Sequence, residues 1–310
     1  MSHYLVTGGA GFVGSYLVRF LLERDERVRV LDNFSTGKRE NLEEVLDRIE
    51  LVEGDLCNRS ALDRAVEGVD FVFHEGAIPS VPHSIEAPLE SHTANATGTL
   101  TLLSAAKEAG VGRLVYASSS SVYGSNEILP KVESMHTEPL SPYAVAKLAA
   151  EHYCRLFHRL YGLETVSLRY FNVFGPRQDP KSPYSGVVSR FLDSIRTGTA
   201  PTIHGDGEQT RDFTYIENVA EANFAACHEA AASGGVFNIG CGERISINGL
   251  WTTMAELVGS PLEAQHAPMR SGDVPHSLAD IGAAKAAFGY DPKVDLNEGL
   301  RRTLGFYGLM

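Results

Sequence analysis

The sequence predicts an α/β fold, a Rossmann-type doubly wound parallel sheet with a smaller, discontinuous C-terminal substrate lobe. Three observations carry this prediction. Short apolar segments alternate with longer helical patterns through the first half of the chain, and a glycine-rich turn follows the first apolar segment. Proline and glycine become frequent after Gly175. Alternating strands and helices are typical of βαβ units, which build parallel sheets.

In the first half, the apolar segments predict strands at Tyr4–Thr7, Val28–Asp32, Ile49–Glu53, Phe71–His74, Arg113–Ser118 and Thr165–Tyr170. The stretches between them predict helices at Val13–Arg24, Arg59–Val66, Glu90–Ala109 and Pro142–Tyr161. No internal repeat or low-complexity segment interrupts this alternation.

In the second half, loops and short elements are expected because the chain is broken at Pro176, Pro180, Pro183, Gly186, Gly198, Pro201, Gly205 and Gly207. We predict helices at Val187–Thr197 and Glu217–Ala231, and strands at Pro201–Gly205, Gln209–Tyr215 and Val236–Gly240. The last of these strands is expected to rejoin the first sheet. The predicted nucleotide-binding domain therefore comprises residues 1–174 plus about 212–242. The predicted substrate lobe comprises about 175–211 and 243–310, with a cleft between the two.

Composition narrows the function classes. The 310 residues carry a net charge of -12 without a run of five like charges, which argues against nucleic acid as the main partner. The four cysteines lack CxxC spacing, and His152, Cys154 and His158 lack metal-ligand spacing, so we expect reduced thiols and no metal site. The sequence contains no stretch of about 18 apolar residues, so we expect no membrane span. The N-terminus enters a strand without a basic or apolar leader, so we expect a cytoplasmic protein.

Tyr143 and Lys147 are the most informative pair in the chain. On a helix, residues four positions apart share one face, so a phenol and an ammonium lie side by side. A nearby cation favours phenolate and lowers the pKa of a tyrosine. The spacing therefore predicts that Tyr143 is a general base acting on a substrate hydroxyl.

A dinucleotide site is predicted at the glycine-rich turn. Gly8, Gly11 and Gly14 directly follow the first strand and open a helix, where backbone amides can approach a pyrophosphate closely. Asp32 ends the second strand, about 20 residues on, where a carboxylate can accept from both ribose hydroxyls. An acid here repels a 2′-phosphate and favours NAD over NADP, although Lys38 and Arg39 are near enough to leave NADP open.

The chain resembles the extended short-chain dehydrogenase/reductase family, specifically its nucleotide-sugar 4-epimerases. The resemblance covers nearly the whole length and rests on TGGAGFVGS (7–15), LDNFSTGKREN (31–41), GDL (54–56), HEGAIPSVPHS (74–84), NATGT (95–99), YASSSSVYG (116–124), SPYAVAK (141–147), RYFNVFGPRQDP (169–180), GDGEQTRDFTYIENV (205–219) and RSGDVPHSLADI (270–281).

This resemblance implies a hydride shuttle with NAD. Tyr143 would take the proton of the sugar 4-hydroxyl, Lys147 would bind the nicotinamide ribose and lower the pKa of Tyr143, and Ser119 would hydrogen-bond the 4-oxygen. Besides Tyr143 and Lys147, the implied cofactor contacts are Gly8, Gly11, Phe12, Val13, Gly14, Asp32, Asn33, Ser35, Thr36, Gly37, Asp55, Leu56, Gly76, Ala77, Asn95, Ala117 and Tyr170.

The resemblance also implies a UDP-sugar substrate. Its contacts, besides Ser119 and Tyr143, would be Ser84, Ser120, Ser121, Asn172, Gly186, Val187, Thr202, Ile203, His204, Arg211, Arg270, Asp273 and Ser277. Arg211 and Arg270 would hold the diphosphate, and Asp273 the uridine ribose. Members of the family pack two helices per subunit, here residues 90–109 and 142–161, into a homodimer.

Ser277 bears on the choice of sugar. In the family, a bulky aromatic residue at this position restricts the pocket to plain hexoses, and a small residue admits an N-acetyl group. The resemblance therefore favours UDP-GlcNAc/UDP-GalNAc interconversion, with UDP-Glc/UDP-Gal on the same enzyme.

Other readings remain open at this stage. UDP-glucuronate 4-epimerases share the SSSSVYG motif but generally have Thr where Asn172 stands. A 4,6-dehydratase would need an Asp-Glu pair at Ser120 and Ser121. A non-catalytic NAD-binding module usually loses the tyrosine or the lysine. His83 departs from the arginine that the subgroup more often carries, and its effect is left open.

Overall fold

The computed structural model describes residues 1–179, 186–269 and 274–310. Its strands are β1 His3–Thr7, β2 Arg27–Asp32, β3 Ile49–Glu53, β4 Phe71–His74, β5 Arg113–Ser119, β6 Glu164–Tyr170, β7 Val173–Phe174, β8 Thr202–His204, β9 Thr210–Arg211, β10 Thr214–Tyr215, β11 Val236–Ile239, β12 Ile245–Ser246 and β13 Gln265–Ala267. Its α-helices are α1 Phe12–Leu22, α2 Arg59–Val66, α3 Val81–Glu86, α4 Pro88–His92, α5 Gly98–Ala109, α6 Pro142–Tyr161, α7 Val187–Thr197, α8 Ile216–His228, α9 Ile247–Val258, α10 Gly282–Phe288 and α11 Leu296–Phe306.

A seven-stranded sheet in the order β11-β6-β5-β4-β1-β2-β3 forms the centre of the molecule. All neighbouring strands in it run parallel. The Rossmann-type fold class is confirmed, and β11 rejoins the sheet as predicted, from Val236 beside Ser167 to Ile239 beside Tyr170. The strand order reverses between β1 and β4, and ligands of such sheets bind at the carboxyl ends of the strands around that point.

Successive side chains along the strands belong alternately to two buried hydrophobic clusters on opposite faces of the sheet. In β1, Tyr4 and Val6 face the cluster that contains the buried residues of α1 and α8, whereas Leu5 faces the cluster of α2, α5 and α6. Because both faces are covered, the strands read as continuous apolar runs. In the described parts of the chain, no helix has the length and apolar character that crossing a membrane would require.

Two elements differ from the prediction. The single helix expected at Glu90–Ala109 is α4, a wide π turn at Thr93–Thr97, and then α5. The buried side chain of Asn95 in this turn hydrogen-bonds both backbone groups of Ile78, at 2.8 Å from its N–H and 3.2 Å to its carbonyl. The strand expected at Gln209–Tyr215 is two short strands, with β9 antiparallel to β12 and β10 parallel to β7.

Asp212 separates these two short strands and explains the break. Its carboxylate is buried and accepts hydrogen bonds from the backbone N–H groups of Cys241 at 2.8 Å, Gly242 at 3.1 Å and Ala279 at 3.1 Å. Burial raises the pKa of Asp212 to about 6, against the lowering effect of these donors. Asp212 thereby fastens the segment around Ala279 to the end of β11, beside the carboxyl edge of the sheet.

A buried ion pair fixes α6 against the sheet. Arg169 in β6 donates to both carboxylate oxygens of Glu151 in α6, at 2.9 Å from Nε to Oε1 and 2.8 Å from Nη2 to Oε2. Ser118 in β5 also donates to Glu151 Oε1. Both charged groups are buried, so their mutual contacts replace the water that each has lost.

Candidate active site

A cavity of about 1090 Å³ opens at the carboxyl edge of the sheet, around the reversal between β1 and β4. It brings together residues that are far apart in the chain. Of the residues predicted from the sequence, it is lined by Gly8, Gly11, Phe12, Val13, Gly14, Asp32, Asn33, Ser35, Thr36, Asp55, Leu56, Gly76, Ala77, Ala117, Ser119, Ser120, Ser121, Tyr143, Lys147, Tyr170, Asn172, Gly186, Arg211 and Ser277.

The glycine-rich turn forms one wall and is packed too tightly for side chains. Gly8 has φ of 67°, and a Cβ on it would lie 2.7 Å from Cα of Gly76. A Cβ on Gly14 would lie 2.1 Å from the carbonyl oxygen of Gly8. No side chain caps α1 at Gly11. The backbone N–H groups at the amino end of α1 therefore face the cavity without a capping side chain, which suits the pyrophosphate of a dinucleotide.

Carboxylates flank this wall at the ends of β2 and β3. Asp32 is buried and accepts from the backbone N–H groups of Ala10 and Phe34, both at 2.8 Å. Asp55 accepts from the Asn33 side chain at 2.7 Å. Carboxylate oxygens that already have donors can still accept from ribose hydroxyls, since each oxygen has more than one acceptor site. These residues and the glycine turn fit the adenosine half of NAD.

Helix α6 carries the candidate catalytic pair into the middle of the cavity. Ser141 caps the helix by accepting from the N–H of Ala144 at 3.2 Å, and Pro142 occupies its first turn. Lys147 Nζ donates to the carbonyl of Ala117 at 2.7 Å and lies 5.9 Å from the ring centroid of Tyr143. Ser119 lies beside Tyr143 and lowers the pKa of its hydroxyl. The structure thus brings the predicted serine, tyrosine and lysine together.

The prediction that Lys147 lowers the pKa of Tyr143 towards neutral pH is wrong for the protein alone. Burial raises the pKa of Tyr143 to about 12, and the hydrogen bond with Ser119 lowers it only in part. Burial also lowers the pKa of Lys147 to about 8. Removal from water disfavours the charged form of each group.

The far end of the cavity is polar. Asn172 Nδ2 lies 3.3 Å from Ser277 Oγ and donates to the carbonyl of Asp212 at 2.9 Å. Arg211 donates to the carbonyl of Pro275 at 3.1 Å, and the N–H of Ser121 donates to Ser119 Oγ at 3.2 Å. The loops after β6 and β9 and the segment around Pro275 and Ser277 therefore meet here.

Some predicted contacts lie elsewhere. Ser84 is buried in α3 and donates to the carbonyl of Val81, Gly37 packs behind the glycine turn against Ala10, and Asn95 holds Ile78. Val187 begins α7, and Thr202, Ile203 and His204 form β8, which pairs with β13. These residues do not line the cavity, and Arg270 and Asp273 lie outside the described residues.

The cavity also includes residues that the sequence analysis did not single out as contacts. Glu75 lines the wall beside Tyr170, whose hydroxyl donates to its Oε1 at 2.9 Å. Lys38 and Asp179 both line the cavity and form an ion pair at 2.7 Å. The signal for Glu75 is its place directly after an apolar strand, at the edge where ligands bind. His83, the departure noted above, lies in α3 with its Nε2 3.2 Å from Glu90 Oε2.

Comparisons with known proteins agree with this geometry. The sequence profile of the NAD dependent epimerase/dehydratase family matches residues 4–240. A UDP-N-acetylglucosamine 4-epimerase from Methanobrevibacter ruminantium, solved with UDP-N-acetylmuramic acid, is 39% identical with a TM-score of 0.94, over 99% of this chain and 98% of that one.

A Thermus thermophilus UDP-glucose 4-epimerase in complex with NAD is 38% identical with a TM-score of 0.90, over 99% of this chain and all of that one. A UDP-glucuronate 4-epimerase from Thermodesulfobacterium geofontis is 35% identical over 99% of this chain and 96% of its own length. The chain therefore belongs to the NAD dependent epimerase/dehydratase family and is an enzyme of the NAD-dependent UDP-sugar 4-epimerase type.

Proposed function

We propose that this enzyme interconverts UDP-GlcNAc and UDP-GalNAc at C4 through a transient 4-keto sugar, and accepts UDP-Glc and UDP-Gal as a second pair. The observation that carries the proposal is the position of Ser277 on the cavity wall, 3.3 Å from Asn172. A small side chain there leaves room for an N-acetyl group beside the sugar. It leaves room for a plain hexose as well.

Tyr143 is the proposed base, which takes the proton from the sugar 4-hydroxyl. Ser119, which lies beside Tyr143, donates to the 4-oxygen as negative charge develops on it. When bound, NAD+ supplies a hydride acceptor for C4 and a positive charge within the same cavity. Tyr143 has a pKa of about 12 in the protein alone, so it remains a phenol until positive charge beside it favours the phenolate.

Lys147 is proposed to position the cofactor in this reaction. Its ammonium is fixed on the carbonyl of Ala117 at 2.7 Å, at the end of β5, and is proposed to bind the nicotinamide ribose from there. The cofactor contacts predicted from the sequence that line the cavity are proposed to bind NAD, with Asp32 selecting it over NADP. Arg211 and Asn172 are proposed to bind the diphosphate side of the substrate.

A second candidate is UDP-glucuronate 4-epimerisation, because Ser119, Ser120 and Ser121 all line the cavity and could donate to a sugar carboxylate. Asn172 favours the first proposal, since glucuronate epimerases of the family generally have Thr at this position. Ser120 and Ser121 also provide no carboxyl group for the water elimination that a dehydratase performs. A binding-only role is disfavoured because Ser119, Tyr143 and Lys147 are all present.

The substrate can be assigned by incubating the enzyme separately with UDP-GlcNAc, UDP-Glc and UDP-GlcA, without added reductant. Proton NMR follows the anomeric and H4 signals. We expect UDP-GlcNAc to convert to UDP-GalNAc, with UDP-Glc also converted and UDP-GlcA unchanged. Conversion of UDP-GlcA alone would establish the second candidate, and no 4-epimer from any of the three would contradict both.

Ser277→Tyr should suppress conversion of UDP-GlcNAc while conversion of UDP-Glc continues, because an aromatic ring would occupy the space proposed for the N-acetyl group. The ratio of kcat/KM for the two substrates, from the same NMR assay, measures this change. Ser277→Ala is the matched control and should keep the preference of the parent enzyme, since it stays small. Equal losses on both substrates in Ser277→Tyr would refute the steric role.

Tyr143→Phe should lower kcat by about 10²- to 10⁴-fold, the usual contribution of a positioned acid-base group, while NAD stays bound. Tyr153→Phe removes a hydroxyl from the same helix away from the cavity and should have little effect. Turnover is followed by NMR, and bound NAD is quantified after the protein is denatured. Near-normal turnover by Tyr143→Phe would contradict the assignment of Tyr143 as the general base.

A homodimer is proposed through residues 90–109 and 142–161. In support, Val145, Leu156 and Leu160 lie along one side of α6 and are 49%, 45% and 66% exposed. Leu156→Glu should shift the protein from dimer to monomer in sedimentation velocity at micromolar concentration. Leu46→Glu places the same charge at a residue that is 51% exposed outside these helices, and should leave the dimer intact. A parent enzyme that sediments only as a monomer would end this proposal.

The division of the chain into a nucleotide domain (1–174 plus about 212–242) and a substrate lobe (about 175–211 and 243–310) is likewise proposed. The sheet positions of β1 to β6 and β11 support it. A cytoplasmic location remains a prediction from the sequence.

A further inference from the structure

Glu75 lies in a polar network on the cavity wall, and the proposed reaction gives this residue no role. Its backbone N–H donates to the carbonyl of Thr7 at 3.2 Å, which fixes it at the carboxyl end of β4, next to the glycine turn. Tyr170 donates to its Oε1 at 2.9 Å, and Asn223 in α8 donates to the Tyr170 hydroxyl at 2.7 Å. The carboxyl group is therefore held in one place on the cavity wall.

The titratable groups beside Glu75 lie on several elements. Tyr116 in β5, Tyr170 in β6, and Tyr143 and Lys147 in α6 interact with it electrostatically. His74 precedes it in the chain, at the end of β4. Burial lowers the pKa of His74 to about 3, so this imidazole is neutral, and the tyrosines are phenols. Lys147 is thus the only cation among these described groups.

The carboxyl group is poised to change its charge near neutral pH. Burial raises the pKa of Glu75 to about 7, while the Tyr170 hydrogen bond and Lys147 oppose this rise. Above that pH the cavity wall carries a carboxylate beside Lys147 and Tyr170. Both residues are proposed NAD contacts, and Lys147 is the one proposed to bind the nicotinamide ribose.

We propose that Glu75 sets the redox balance of the bound nicotinamide, because its carboxylate stabilises the positively charged oxidised ring over the neutral reduced ring. The inference rests on the proposed function only in that NAD occupies this cavity. A charge in a water-poor site interacts strongly with an ion nearby and weakly with a neutral group. Glu75 thereby disfavours the accumulation of reduced cofactor, which would leave the enzyme inert whenever a keto sugar escaped.

The test compares the parent holoenzyme with Glu75→Gln, which keeps the shape of the side chain and removes its charge. Each protein is equilibrated with a low-potential redox dye at a fixed ratio of oxidised to reduced dye, without any sugar. The ratio of bound NADH to NAD+ is then read from near-ultraviolet absorbance. At pH 8.5 we expect this ratio to be about tenfold higher in Glu75→Gln, the effect of one pKa unit of charge interaction.

The pH dependence separates charge from structural damage. Near pH 5.5 the Glu75 carboxyl is protonated and the two proteins should converge, because the difference exists only above the pKa of about 7. Tyr170→Phe keeps the carboxyl group of Glu75 but removes the hydrogen-bond donor that lowers its pKa. In this variant, the ratio of bound NADH to NAD+ should therefore change at a higher pH than in the parent enzyme. An equal ratio at pH 8.5, or a difference that persists at pH 5.5, would overturn the proposal.

A parent-enzyme titration gives an independent reading if Glu75→Gln does not retain NAD. As pH falls through about 7, the ratio of bound NADH to NAD+ should rise more steeply than the same ratio for free NAD. If the bound and free ratios changed equally with pH, the role of Glu75 would be refuted. The measurement needs bound cofactor but no substrate. Failure of every UDP-sugar in the NMR assay would therefore overturn the proposed function and leave this result standing.

Discussion

The contact between Glu151 and Arg169 is the constraint on which the arrangement of the site depends. It joins α6, which carries Tyr143 and Lys147, to β6, while Ser118 ties the same carboxylate to the strand that ends in Ser119. Two buried charges without water are tolerable only with near-complete hydrogen bonding, and here both carboxylate oxygens are bonded. The pair therefore fixes one docking of α6 on the sheet, and the distance between serine and tyrosine follows from that docking.

Removal from water governs the chemistry of the site in the same way. It raises the pKa of Tyr143 and Glu75 and lowers that of Lys147, so each group moves towards its neutral form. The hydrogen bonds with Ser119 and Tyr170, and for Lys147 the negative charge of Glu75, only moderate this effect. A cavity of this kind responds strongly to any charge that enters it. Tyr143 is consequently a phenol at neutral pH in the protein alone.

Most of the fold could be predicted from the sequence because its signals are local. The glycine turn, Asp32 and the alternation of strands and helices each depend on a few neighbouring residues, and the predicted parallel sheet is confirmed. The pKa of Tyr143 could not be predicted in this way, since four-residue spacing gives the direction of two side chains but not their depth. The break at Asp212 and the meeting of Asn172 with Ser277 arise from contacts between segments far apart in the chain. The sequence does not predict Glu75 as a site residue because its hydrogen bond is with Tyr170, which belongs to another strand.

The two ends of the cavity are built by different means, and this bears on how sugar selectivity can vary without loss of chemistry. Ser119, Tyr143 and Lys147 lie on the sheet edge and on α6, which the buried ion pair holds. Ser277 lies on a segment fastened chiefly through the backbone, by its N–H to the Thr210 carbonyl at 3.0 Å and by the nearby Asp212 bonds. Backbone bonds tolerate any side chain at residue 277, so the wall proposed to lie beside the sugar can change while Tyr143 stays in place. Relatives that are more than 30% identical and whose names carry different UDP-sugars are consistent with such an arrangement.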